Sequence, residues 1–211
     1  MKFKLTILTL LFCWPAIFFA QSQKHYIIFL HNKFLESHAL NEEHPQYGIA
    51  EYRAIIHKLE DQNTIVISEK RKPNTDIEAY AMRVKGQIDS LSQKGILIRN
   101  IAIIGTSQGG FIAQYVSYYM KNPELKFVFV GSSFKDDSLS KDADLRLYGK
   151  ILSINESSDK GNISLSDQKR FIKSKLNSFK EIELNTGLVH GFLFKALDDW
   201  IMPAKKWATG K

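Results

Sequence analysis

Ile101-Ala102-Ile103-Ile104-Gly105-Thr106-Ser107-Gln108-Gly109-Gly110 decides the fold of this chain. Four apolar residues, three of them β-branched isoleucines, read as a buried strand. The run Phe111-Ile112-Ala113-Gln114-Tyr115-Val116 that follows reads as a helix. Between them lies G-x-S-x-G, so a serine sits at the apex of a sharp strand-to-helix turn. A hydroxyl is a poor nucleophile unless it is exposed, beside a base and beside amide donors. The turn presents it, and glycines at the flanks let strand and helix pass closely. The helix that starts there directs its free N–H groups and positive dipole end at the same point.

A serine nucleophile needs a base, and the base needs an acid to orient it. In the chain order Ser, acid, His, both lie downstream, each after a strand. Of six histidines only His190 follows Ser107. It comes after the alternating strand Glu181-Ile182-Glu183-Leu184 and opens a terminal helix expected over 192–207. For the acid, Asp159 lies a few residues past the strand Ile151-Leu152-Ser153-Ile154. Glu156 in the same loop is the alternative, with Asp136 and Asp137, after the strand at 127–130, as a second fallback. The oxyanion of the reaction needs two backbone N–H groups. One is that of Gln108, directly after the nucleophile. The other belongs to Asn32 or Lys33, in the loop after the first core strand at 26–30. His31 in that loop is either in contact with substrate or hydrogen-bonded to backbone.

With these residues in place the chain resembles the α/β-hydrolase superfamily, from Tyr26 through the terminal helix. Gly105-Thr106-Ser107-Gln108-Gly109, the acid-bearing loop after Ile154 and His190-Gly191-Phe192 carry the resemblance. It implies an α/β fold: a mostly parallel sheet of at least six strands with helices on both faces. It also implies a small bacterial-type serine hydrolase that needs no cofactor. Many relatives have His-Gly after the first core strand, where this chain has His31-Asn32. Asparagine tolerates unusual backbone angles, which keeps an oxyanion turn available there.

The 211 residues are 44 % hydrophobic, enough for one domain with a sizeable core. Lys2 and Lys4 precede an apolar run over 5–20, short for a membrane span of ~20 residues. Residues 1–22 are therefore read as a signal peptide, cleaved after Ala20 or Ser22, and 23–211 as a single domain. Such a protein is exported, periplasmic or secreted, with no stable membrane span once the signal is removed. Cys13 is the only cysteine, so the mature chain has neither a disulfide nor a thiol nucleophile. Without Lys2 and Lys4 the balance is 27 basic to 22 acidic residues, a net charge of +5. The basic residues are scattered among acids with no aromatic interleaving, which argues against nucleic acid as a partner. His31, His38, His44 and His57 fit no compact metal motif, so no metal is expected.

Along the chain, strands (26–30, 64–68, 100–104, 127–130, 151–154, 181–184) alternate with helices (49–59, 76 to about 92, a segment ending at Met120, 165–177). The segment 131–149 is too short for a large helical lid. An open site follows, taking a small-molecule acyl substrate. The loop 31–47 is then the main wall. Phe34, Leu35, Leu40 and Tyr47 could line an acyl site, with Ser132, Ser133, Phe134 and Phe192 at strand ends as further contacts.

Overall fold

Alternation of apolar side chains fixes which way each strand faces, because successive residues of a strand point to opposite sides of the sheet. The computed structural model describes residues 24–210. The expected signal peptide, both of its cleavage positions and Cys13 lie outside the described residues. The elements in order are β1 (His25–Leu30), α1 (Phe34–Ser37), β2 (Glu43–His44), β3 (Gly48–Ile49), α2 (Tyr52–Leu59), β4 (Thr64–Ile67) and α3 (Ile77–Gln93). There follow β5 (Ile101–Thr106), α4 (Gln108–Met120), β6 (Lys126–Val130), β7 (Tyr148–Glu156), α5 (Lys169–Ile172), β8 (Lys175–Leu184) and α6 (Asp198–Thr209).

Six strands form one sheet in the order β4-β1-β5-β6-β7-β8, every pairing parallel. Both faces are covered, as an all-parallel sheet requires. Ile27, Phe29, Ala102, Ile104, Val128 and Val130 pack on one face against α2 and α6. Their strand neighbours Ile28, Leu30, Ile101, Ile103, Phe127 and Phe129 pack on the other against α3 and α4. Strand order reverses between β1 and β5, so the loops leaving their carboxyl ends diverge and open a crevice. Ser107 follows β5 and His31-Asn32-Lys33 follows β1, so both sides of the expected site rise from that crevice.

The structure departs from the expected elements at four places. No helix spans 165–177. A single 3-10 turn (Leu165–Asp167) and the one-turn α5 are followed by β8, whose first residue already donates its N–H to Leu147. The Glu181 carboxylate takes the Leu165 N–H at 2.8 Å, which ties this stretch to the strand rather than to a helical turn. β8 is thus ten residues long and forms the outer edge of the sheet, with Lys175, Lys180, Glu181 and Glu183 along it. The terminal helix starts at Asp198, because residues 189–194 form a 3-10 segment that buries Phe192, Leu193 and Phe194. The helix expected from 49 starts at Tyr52, since Gly48 and Ile49 pair with β2. β7 runs on to Glu156, which makes that residue part of the strand.

Candidate active site

Ser107 stands between β5 and α4 with φ 51° and ψ −120°, a region that L side chains avoid. Such a backbone costs ~1–3 kcal/mol and persists only where its surroundings enforce it. Here the enforcement is backbone against backbone. A Cβ on Gly105 would lie 2.2 Å from the Gly109 carbonyl oxygen, and one on Gly109 would lie 2.0 Å from that of Leu30. The turn is pinned by the Ser107 N–H donating to Val130 O at 2.9 Å and the Gly110 N–H donating to Ser107 O at 2.8 Å.

Three side chains from distant parts of the chain meet at this turn. His190 Nε2 lies 3.0 Å from Ser107 Oγ, and His190 Nδ1 lies 2.6 Å from Asp159 Oδ2. A carboxylate only accepts, so Nδ1 carries the proton and Nε2 is left to accept from the serine hydroxyl. Asp159 is 8 % exposed. The rings of Tyr47 and Phe134 flank His190 with centroids 6.3 and 5.6 Å from its own.

The alternative acids have other partners. Glu156 is 1 % exposed, and its carboxylate accepts from the N–H and Oγ of Ser158, the N–H and Oγ1 of Thr186 and the N–H of Gly187. Asp137 receives two donors from Arg170, at 2.7 and 3.1 Å. Asp136 is exposed beside a cavity of about 540 Å³ under residues 135–146 and 163–173, away from the Ser107 turn. Glu156 works on the loops instead. Ser158 Oγ, which donates to it, accepts the Val189 N–H at 3.0 Å. Val189, directly before His190, is held at φ 46°, an outlier for a β-branched residue. The loop bearing Asp159 and the loop bearing His190 are therefore fastened to one carboxylate. Burial raises the pKa of Glu156, but the hydrogen bonds from Thr186 and Ser158 outweigh it and bring the group below its ordinary value.

Gln108 is the first residue of α4, so its N–H has no partner within the helix. No backbone carbonyl among the described residues accepts from the amides of Asn32, Lys33 or Gln108. Lys33 and Gln108 line one cavity of about 440 Å³, together with Asp76, Glu78, Tyr115 and Ser138.

Two expected substrate contacts are buried in the protein. His31 is 1 % exposed: its Nδ1 donates to Asn32 O at 2.7 Å and its Nε2 accepts the Arg71 N–H at 2.8 Å. Burial, with Arg71 beside it, lowers its pKa to about 3, so it is a neutral structural group. Phe192 is wholly buried in the core on the α2/α6 side. Leu35 is buried as well, and so are the hydroxyls of Ser132 and Ser133. Phe34 remains half-buried, stacked on His38 with centroids 4.0 Å apart and close to Phe194. Arg71 and Val189 carried no sign of their roles in the sequence, since each acts through backbone geometry that the fold creates.

Among the described residues no group of three or more His, Cys, Asp or Glu side chains could hold a metal ion, and no helix is long and apolar enough to cross a membrane. No protein-family model matches the sequence. No curated protein matches it either. Solved structures do match. The RedJ thioesterase of the prodiginine pathway in Streptomyces coelicolor is 12 % identical over 88 % of this chain and 86 % of its own, with a TM-score of 0.56. A lipase-esterase related protein from Clostridium acetobutylicum is 16 % identical over 88 % and 95 %, with a TM-score of 0.54. A protein of Agrobacterium tumefaciens described as a putative α/β hydrolase is 15 % identical over 89 % and 85 %, with a TM-score of 0.55. At such identities the likeness is one of fold. The chain has the α/β-hydrolase fold that these proteins share.

Proposed function

We propose that this protein is an exported serine hydrolase that cleaves carboxylic esters through an acyl-enzyme on Ser107. The observation that carries it is the continuous chain from Asp159 through His190 to Ser107 Oγ, with bonds of 2.6 and 3.0 Å. Ser107 Oγ attacks the carbonyl carbon as His190 Nε2 takes its proton. Asp159 holds the ring in this tautomer and stabilises the imidazolium. The N–H of Gln108 and that of Asn32 or Lys33 receive the negative oxygen; such donors are worth ~3 kcal/mol each in the transition state. His190 returns the proton to the leaving oxygen and the ester bond breaks. Water, deprotonated by the same imidazole, then releases the acid and restores the serine. Every proton is accounted for by these side chains and water, so no cofactor is invoked.

The half-buried rings of Phe34, Tyr47 and Phe134 offer apolar surface to an acyl or alcohol group. Lys2, Lys4 and the apolar run after them support export. The test uses a fluorophosphonate probe and short p-nitrophenyl esters on the mature protein. The wild type should label at Ser107 and turn over ester. Ser107→Ala should lose labelling, and His190→Ala should lower kcat by about 10⁴-fold or more. Equal rates in wild type and His190→Ala would leave a non-catalytic binding protein as the better account. A panel of acyl-chain lengths, with thioester and amide counterparts, then separates an esterase from a deacylase of another kind.

A further inference from the structure

We propose that Arg71 is the positioning residue of the oxyanion hole, holding the Asn32 carbonyl from behind so that the Lys33 N–H faces the reacting oxygen. This rests on the hydrolase reading above and concerns what orients its electrophilic side. Arg71 lies in the loop after β4, and its side chain is fully buried, as is that of Glu36. Its Nε donates to Glu36 Oε1 at 2.9 Å. Its Nη2 donates to His31 O at 2.6 Å and to Asn32 O at 3.2 Å. His31 Nδ1 donates to the same Asn32 oxygen at 2.7 Å. Two donors thus fix one carbonyl.

The peptide between Asn32 and Lys33 is planar and trans, since no cis bond occurs among the described residues. In a trans peptide the N–H points opposite to the C=O. Anchoring Asn32 O to the buried guanidinium therefore sends the Lys33 N–H outward. That amide has no backbone acceptor among the described residues, and Lys33 lies in the loop leaving β1, beside the strand β5 that carries the Ser107 turn. Donors gathered on the carbonyl also draw electron density towards its oxygen and make the N–H of the same peptide a better donor.

The second buried arginine shows the difference. Arg170 spends its donors on the side chains of Asp137, Gln114 and Gln168. A buried ion pair by itself contributes little net stability compared with apolar side chains of similar volume. An arginine whose Nη2 grips two consecutive carbonyls of one loop determines the orientation of that loop's amides.

Arg71→Met alone would leave the buried Glu36 carboxylate with only the half-exposed Lys33 ammonium, 2.8 Å from its Oε2, as a cationic partner, so the test uses Arg71→Met combined with Glu36→Leu, which removes both buried charges. We expect this variant to fold and to take up the fluorophosphonate at Ser107. Its kcat per titrated site should fall about 10- to 100-fold with KM little changed. Wild-type kcat, or a loss confined to KM, would overturn the proposal. A second measurement needs no variant. In the unmodified protein, NMR should show the amide protons of both Lys33 and Gln108 moving downfield when Ser107 is phosphonylated. A Lys33 amide that ignores the adduct overturns the Arg71 proposal and leaves the hydrolase reading standing. A wild-type protein that neither cleaves ester nor reacts at Ser107 overturns both.

Discussion

At position 107 the side chain and the backbone make opposite demands. The proposed chemistry needs a hydroxyl, while φ 51° suits glycine. Ser107→Gly should therefore unfold at higher denaturant than Ser107→Ala, by about 1 kcal/mol in a urea titration, with both lacking labelling. Equal midpoints would mean that the turn stores no strain. Position 107 was legible because strain of this sort has a local signature: glycines at 105 and 109 where a Cβ would strike backbone. Val189 has no such signature. It too has a positive φ, 46°, and its N–H is held by Ser158, thirty-one residues away. Distance past the strand end places Asp159 ahead of Glu156, but the sequence does not show which carboxyl turns which way. Both belong to one short stretch, and only the direction in which the strand ends decides which carboxyl meets the imidazole and which faces residues 186–187.

Among elements, the ends of β7 and β8 behave as one piece because Glu156 joins them. Glu156→Gln keeps the shape but presents an amide NH₂ to groups that themselves donate. It should cost about 1–3 kcal/mol of stability and lower kcat by roughly tenfold by letting His190 drift. Its pKa lies below its ordinary 4.5 in the folded protein. The stability it contributes is therefore fully present above 4.5 and is lost as pH falls through the lowered folded value. Urea midpoints should drop on that acid side in the wild type more than in Glu156→Gln; parallel curves would dismiss the clamp. Parallel strands with buried runs, such as 101–104 and 127–130, were readable because both their faces meet core. β8 was not, because it is half-exposed and Lys-rich, and the neighbouring strand rather than local preference settles its conformation. Residues 165–177 show helical spacing that the Glu181 carboxylate and the β7 edge override.

For the whole molecule, acid sensitivity extends to milder pH through His31. The unfolded chain takes up a proton there near 6.5, and the folded one only near 3. Stability from this site is complete above 6.5 and drains as pH falls from 6.5 towards 3. His31→Asn, which keeps a donor for the Asn32 carbonyl, should give flatter urea midpoints between pH 6.5 and 4. Unchanged slopes would mean that another group governs this limb. The order of the sheet also has a consequence for how copies of the protein meet. β8 ends the sheet with one side unpaired, an open template onto which a second chain could add a strand. Stacked in register and in parallel, such an array would set Lys180 against Lys180 and Glu183 against Glu183 at every step. Like charges repeated at strand spacing work against fibril growth, so this rim protects the protein from the amyloid-type association that an apolar strand of its length would invite.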